Sequence, residues 1–163
     1  MRAWGLWSAI FLIFGPMLGA HAADLDVAGD WYTDDRSSII TIEDCGNGTP
    51  CGVVRWLSPE ASASEAYDSN NRDRSLRDRP IVGMSLLSGF KTNEGGCWQK
   101  GSIYNPEDGR TYRARIELIS NDALSVSGCL GPICKTLIWH RASEKNQQRV
   151  TDAQEHSEDM ASL

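Results

Sequence analysis

Histidine is scarce in this sequence. There are three, and His21 lies in an N-terminal leader, so only His140 and His156 remain for a mature protein. His140 follows Trp139 in a strand-like pattern and points the opposite way, and His156 sits in a polar tail. A nucleophile, histidine and acid arrangement therefore has no base to build on. There is no Cys-x-x-Cys, and neither histidine stands at metal-ligand spacing, so no metal or other cofactor is expected. Basic charge is short as well: 16 Lys and Arg against 22 Asp and Glu give a net charge of −6, and removal of Arg2 with the leader deepens it. Nucleic acid and anionic membrane surfaces need clustered cations and are excluded as partners. After the leader no apolar run is long enough to span a bilayer.

What is present begins with that leader. Arg2 is the positive start, Ala9 to Leu18 the apolar stretch and Ala20-His21-Ala22 the small-x-small cleavage site, so residues 1–22 are expected to be a signal peptide. No cysteine follows the cut, so no lipoprotein anchor is expected. The protein is thus expected to be periplasmic or secreted, in a compartment where disulfides persist. Cys45 and Cys51 flank one turn and Cys129 and Cys134 another, so each pair can staple a hairpin; Cys97 is the odd one. Other pairings stay open at this level.

Residues 23–142 read as one domain. Val27 to Thr33, Ser37 to Glu43 and Gly52 to Leu57 are short, β-branched strands. Ser58 to Pro80 is polar and without a period of two, a long connection of the kind that serves as a lid or binding loop. Ile81 to Phe90 resumes the alternation. The centre of the chain is a hairpin, Cys97 to Tyr104 and Thr111 to Leu118, about the turn Asn105-Pro106-Glu107-Asp108-Gly109. Tyr112, Ala114, Ile116 and Leu118 are expected to face inward, Arg113, Arg115 and Glu117 outward. Ala123 to Gly128 and Lys135 to Arg141 bring the count to eight. An all-β, eight-stranded antiparallel barrel is expected, with an interior that side chains fill or that holds one small ligand. Residues 143–163 are polar and expected to form a disordered tail.

The run Cys97-Trp98-Gln99-Lys100-Gly101-Ser102-Ile103-Tyr104-Asn105-Pro106-Glu107-Asp108-Gly109-Arg110-Thr111-Tyr112 resembles a widespread family of exported bacterial proteins known only as domain of unknown function 2147. The likeness continues through Gly29-Asp30-Trp31, Cys51 to Leu57, the cluster Asp68 to Asp73, Arg79 to Gly83, Gly128-Cys129, Cys134 and Trp139-His140-Arg141. It implies a lipocalin-like barrel, export and no established activity. One departure is that Asn71 is followed by Arg72 where the family often has proline. Gly29-x-Trp31 at one end and Arg141 at the other also resemble the lipocalin closure, in which an arginine stacks across an indole at the barrel base.

Candidate chemistry is sparse. Asp68, Asn71 and Asp73 offer oxygens in the lid, yet Arg72 occupies a ligand position and no bidentate glutamate follows, so a calcium loop is not expected. Glu107 and Asp108 are turn residues. The aromatic set is the better clue. Trp56, Trp98, Tyr104, Tyr112 and Trp139 are the candidate ligand-binding residues, converging on the interior to take a small apolar or amphipathic molecule at a mouth covered by 58–80. A filled barrel meeting an envelope protein through its surface is the alternative, and a carboxylate-based enzyme in the lid a third. Binding rather than catalysis is the expectation.

Overall fold

In the computed structural model of the protein, residues 26–46, 48–92 and 97–143 are described. The expected signal peptide, residues 1–22, lies outside them, and so does the expected tail apart from Ser143. Nine strands form one antiparallel sheet: β1 (Gly29–Tyr32), β2 (Ser38–Asp44), β3 (Pro50–Leu57), β4 (Ser85–Ser88), β5 (Lys91–Thr92), β6 (Trp98–Asn105), β7 (Arg110–Ser120), β8 (Ala123–Leu130) and β9 (Ile133–Arg141). Their order is β4-β3-β2-β1-β9-β8-β7-β6-β5, and β4 also pairs with β6. That last pairing closes eight strands into the expected barrel, with β5 a two-residue strand outside the ring.

The central hairpin fixes the faces. In β7, Ala114 and Ile116 are buried and Tyr112 and Leu118 partly so, while Arg113 and Arg115 are exposed. Trp31, Ile40, Ile42, Val54, Leu87, Ile116, Leu124 and Val126 complete a core with almost no water contact. Burying each such side chain stabilises by about 1.5–3 kcal/mol.

Register shifts interrupt four of the strand pairings, and the two in β3 against β2 and in β6 against β7 bear on aromatic residues. Ile39 pairs with Trp56 but Ile40 with Val54, so Arg55 is an extra residue in β3. The extra residue reverses the parity beyond it. Val54 faces in, Trp56 is turned out to 39% exposure, and Leu57 faces in again. The expected inward place of Trp56 is therefore corrected: its ring lies edge-on against Tyr32, 6.3 Å between centroids, on the outside. In β6, Trp98 pairs with Ile116 and Gly101 with Ala114, and Lys100 takes φ 59° as the extra residue. The strand expected over 81–90 is also shorter. Ile81 to Met84 forms a turn with Gly83 at φ 90°, and Gly89 at φ 73° ends the four residues of β4.

One end of the barrel is clamped. The Arg141 guanidinium lies 4.1 Å from the centre of the Trp31 ring, donates from Nη1 to the Ala28 carbonyl at 2.8 Å and from Nε to the Asn121 carbonyl. Trp31 Nε1 in turn donates to the Val27 carbonyl at 2.9 Å. Gly29 makes room for the stack, because a Cβ there would stand 2.6 Å from Nη1 of Arg141, at a backbone φ of 123°. Arg141→Ala is expected to lower stability by about 1–2 kcal/mol through loss of the stack alone. Gly29→Ala should cost more, since it both strains the backbone and displaces the guanidinium. Urea denaturation of the three proteins checks that order.

Candidate functional site

Every strand end at the opposite pole frames an opening. The β1–β2 loop (33–37), the start of the β3–β4 connection, the β6–β7 turn and the β8–β9 hairpin all meet there. Beneath them is a cavity of about 530 Å³. Its wall is Val54, Leu57, Ile81, Leu86, Ile103, Tyr112, Val126, Gly128, Leu137 and Trp139; its rim is Thr33, Asp34, Asp35, Ser37, Ser38, Glu107, Leu130, Ile133 and Lys135, with Tyr104 between the two. Trp139 is 3% exposed, and its Nε1–H has no hydrogen-bond partner among the described residues. A buried donor in that condition is unusual in a protein.

Three of the five expected aromatic residues, Tyr104, Tyr112 and Trp139, line this cavity. Trp56 does not, for the reason given by the β3 bulge. Nor does Trp98, because β6 enters the barrel at the clamped pole; its indole packs in the core there and donates to Asp26 at 3.4 Å. The Tyr112 hydroxyl is held by Asp108, whose hydrogen bond raises the phenol pKa. The residues that sequence reading overlooked are Ile103, Leu137 and Leu86 in the wall and Asp34, Asp35 and Lys135 on the rim. Strand alternation carried the signal for Ile103 and Leu137; nothing local marked the rim.

The 58–80 connection contributes no side chain to the cavity wall. Ser58 caps the N-terminus of helix α1 (Pro59–Glu65) by accepting from the Ala61 N–H, and Pro59 fits the first turn because it has no N–H to satisfy. The chain then folds back on itself between Tyr67 and Pro80. At its centre Asp68 is wholly buried. Its carboxylate accepts from Tyr104 Oη at 2.6 Å, Asn71 Nδ2 at 2.6 Å and Arg79 Nη2 at 2.6 Å. Asn71 Nδ2 also donates to Tyr104 at 3.0 Å, and Asp73 caps the short 3-10 turn at Arg74–Leu76. Gly109 of the β6–β7 turn, at φ 64°, abuts this loop so closely that a Cβ would stand 2.0 Å from the Asn70 carbonyl oxygen. The expected lid residues are thus a brace on β6 and its turn rather than a cover over the mouth.

Electrostatics agree with that role. Burial works to raise the Asp68 pKa, but the hydrogen bonds of Tyr104, Asn71 and Arg79, with the Arg79 charge, outweigh it and hold the carboxyl below its usual value. Burial, then the Asp68 carboxylate, push the Tyr104 phenol up to about 12. A carboxyl whose folded pKa is depressed contributes stability that is present above its unfolded value and lost as pH falls through the folded one. The brace should therefore hold unchanged at neutral pH and weaken only below the ordinary 3.8. Asp68→Ala removes the acceptor shared by Tyr104, Asn71 and the partly exposed Arg79 and is expected to cost about 1–3 kcal/mol. Acid titrations followed by circular dichroism should show the native protein losing stability below that value and the variant, already weakened, lacking the step.

Cys45 is bridged to Cys51 at the clamped pole and Cys129 to Cys134 at the open one, with Cα separations of 5.5 and 4.0 Å. Cys97 belongs to neither bridge; its buried sulfur lies 2.8 Å from Arg115 Nε. No helix among the described residues is long and apolar enough to cross a membrane.

Comparison with known proteins places the architecture. A solved structure described as "Protein HP1028 from the human pathogen Helicobacter pylori belongs to the lipocalin family" superposes with a TM-score of 0.63 at 24% sequence identity, covering 78% of this chain and 89% of that one. The likeness establishes a lipocalin-like fold. No curated protein matches. Residues 29–141, nearly the whole barrel from the clamp glycine to the clamp arginine, match the profile of one family, and the chain belongs to it: the uncharacterized proteins conserved in bacteria called DUF2147.

Proposed function

We propose that this protein is an exported, non-enzymatic carrier that takes a small apolar or amphipathic molecule into the open pole of its barrel. The observation that carries the reading is the cavity itself. Its volume of about 530 Å³ lies within the range of small-molecule pockets, about 300–1,000 Å³, and an apolar wall with a few polar groups at one end is how such pockets are built.

Catalysis has less to stand on. Asp68, the buried carboxylate of the connection, has its oxygens taken up by Tyr104, Asn71 and Arg79, and His140 is exposed on the outer face of β9. Export is supported by the leader pattern, by two bridged cysteine pairs and by membership of a bacterial family. Exposed Leu130 and Ile133, at 57% and 77%, favour a second reading in which the hairpin tip meets an envelope protein.

The test is binding of Nile red, a neutral apolar dye, to the mature disulfide-bonded protein, with native mass spectrometry of the same material as purified from a periplasm. Enhanced fluorescence at one dye per chain, or a released small molecule of matching stoichiometry, is the expected result. Leu137→Trp, which places a larger side chain in the wall, should weaken dye binding at least about tenfold while keeping the folded circular dichroism spectrum. Absence of both dye and native adduct would reject the carrier and leave the surface reading.

A further inference from the structure

The rim of the cavity is not electrically neutral. Asp34, Asp35 and Glu107 line it against the single ammonium of Lys135. Arg36, the cation of the same β1–β2 loop, is exposed and is not among the lining residues. Arg113, also near the tip, donates to the Gly131 carbonyl at 2.6 Å on the outer side of the hairpin. Below the rim the wall is aliphatic and aromatic and holds no side-chain charge. The cavity therefore joins an uncharged interior to a mouth with an excess of carboxylate, in a chain whose net charge is −6.

Asp35 is held in place for such a role. Its Oδ1 accepts from Thr33 Oγ1 at 2.8 Å, from the Ser37 N–H at 3.1 Å and from Ser37 Oγ at 3.0 Å. The carboxylate is otherwise exposed at the rim. Burial works to raise its pKa, but the bonds from Thr33 and Ser37 outweigh that and keep it below the usual value, so the group is charged throughout the neutral range. A carboxylate held by these bonds at the edge of an apolar cavity is oriented before any ligand arrives. That arrangement attracts a cation without the loss of side-chain freedom that a mobile acid would suffer on binding.

Resting on the carrier reading above, we propose that the ligand class is an organic cation: an apolar body that enters between Ile103, Leu137 and Trp139, with an ammonium or similar positive group left at the rim against Asp35 and Glu107. The uncharged lining below the rim, with Ile103, Leu137 and Trp139 in it, suits the apolar body of such a ligand. Fatty acids and other amphipathic anions are disfavoured by the same rim, because a carboxylate seated with its tail in the wall would face three like charges and one ammonium. The protein's overall negative charge acts in the same direction on the approach of the ligand.

The experiment is displacement of Nile red from the mature protein by three compounds with the same dodecyl chain, below their aggregation limits: dodecyltrimethylammonium, dodecyl maltoside and dodecanoate. The ammonium should displace the dye at a concentration at least about fivefold lower than the carboxylate at low salt, and the difference should shrink as salt is added, as expected for rim charges. The double variant Asp35→Asn with Glu107→Gln should bring the ammonium and carboxylate displacement concentrations together while keeping the folded circular dichroism spectrum, because asparagine retains the Oδ1 acceptor that holds the loop. Equal displacement by all three, or preference for dodecanoate, would overturn the cation assignment and leave the carrier reading standing. Failure of Nile red itself to bind would overturn both, and persistence of the ammonium preference in the double variant would show that these carboxylates are not its source.

Discussion

Closure of the ring is the constraint on which the rest depends. An eight-stranded barrel is only as continuous as its weakest seam, and three seams here are held by two register pairs each: β3–β4, β4–β6 and β1–β9. The seam between β8 and β9, by contrast, runs for eight. The weak seams fall where the chain is least regular, at the short strand β4 and at the meeting of the first and last strands. Each is supplemented by contacts outside the ladder. Val54 and Met84, and Gly83 and Val54, add backbone bonds beyond the β3–β4 register. Arg141 spans β1–β9 through Trp31 and Ala28, and Asp68 reaches from the β3–β4 connection to Tyr104 on β6. A buried charged group is costly unless it is paired, and here both Arg141 and Asp68 are paired to groups on a neighbouring element.

These two splints also differentiate the poles. At one pole Arg141, Trp31 and the Gly29 backbone fill the base. At the other, Asp68 acts from outside the wall: it takes the hydroxyl of Tyr104 away from the interior and, with Asn70 against Gly109, sets the position of the β6–β7 turn that carries Glu107. The rim charge of the mouth and the integrity of the β4–β6 seam thus share one support. A substitution that loosens the brace reaches the cavity through the turn without touching a lining residue.

Much of this was legible in the sequence, and the physical reasons for the remainder are specific. Alternation in Thr111 to Leu118 and the turn before it fixed the central hairpin, and a positive residue on an inward position pointed to the Arg141 stack on Trp31. Trp56 was misplaced because a bulge at Arg55 is invisible in a pattern of period two: the extra residue is recognised only by its partner strand. Trp98 was assigned to the right face but the wrong pole, since alternation gives the side of a strand and not the height along the barrel. Asp68, Asn71 and Asp73 stood out as oxygen-rich, yet the partner that explains Asp68 is Tyr104, 36 residues away. The rim carboxylates belong to loops, whose composition reports solvent exposure and not what they surround.

The question of whether so many large rings fill the barrel turns on where those rings are. Trp31 and Trp98 pack at the clamped pole, Trp56 is turned outward by its bulge, and Tyr104 directs its hydroxyl to the connection. Tyr112 toward the mouth and Trp139 toward the clamped pole, where it pairs with Leu124, remain as aromatic groups in the cavity wall, beside Val54, Leu57, Leu86, Ile103, Val126 and Leu137. Gly128 stands in the same wall, where even a Cβ would meet Ile103 at 3.4 Å. Aliphatic side chains and a glycine on a ring of fixed circumference leave the centre open, whereas rings on the same positions would reach across it. The bulge at Arg55 therefore does more than bend a strand. By exchanging Trp56 for Leu57 on the inner face, it removes the one large ring that β3 would otherwise have placed in the mouth.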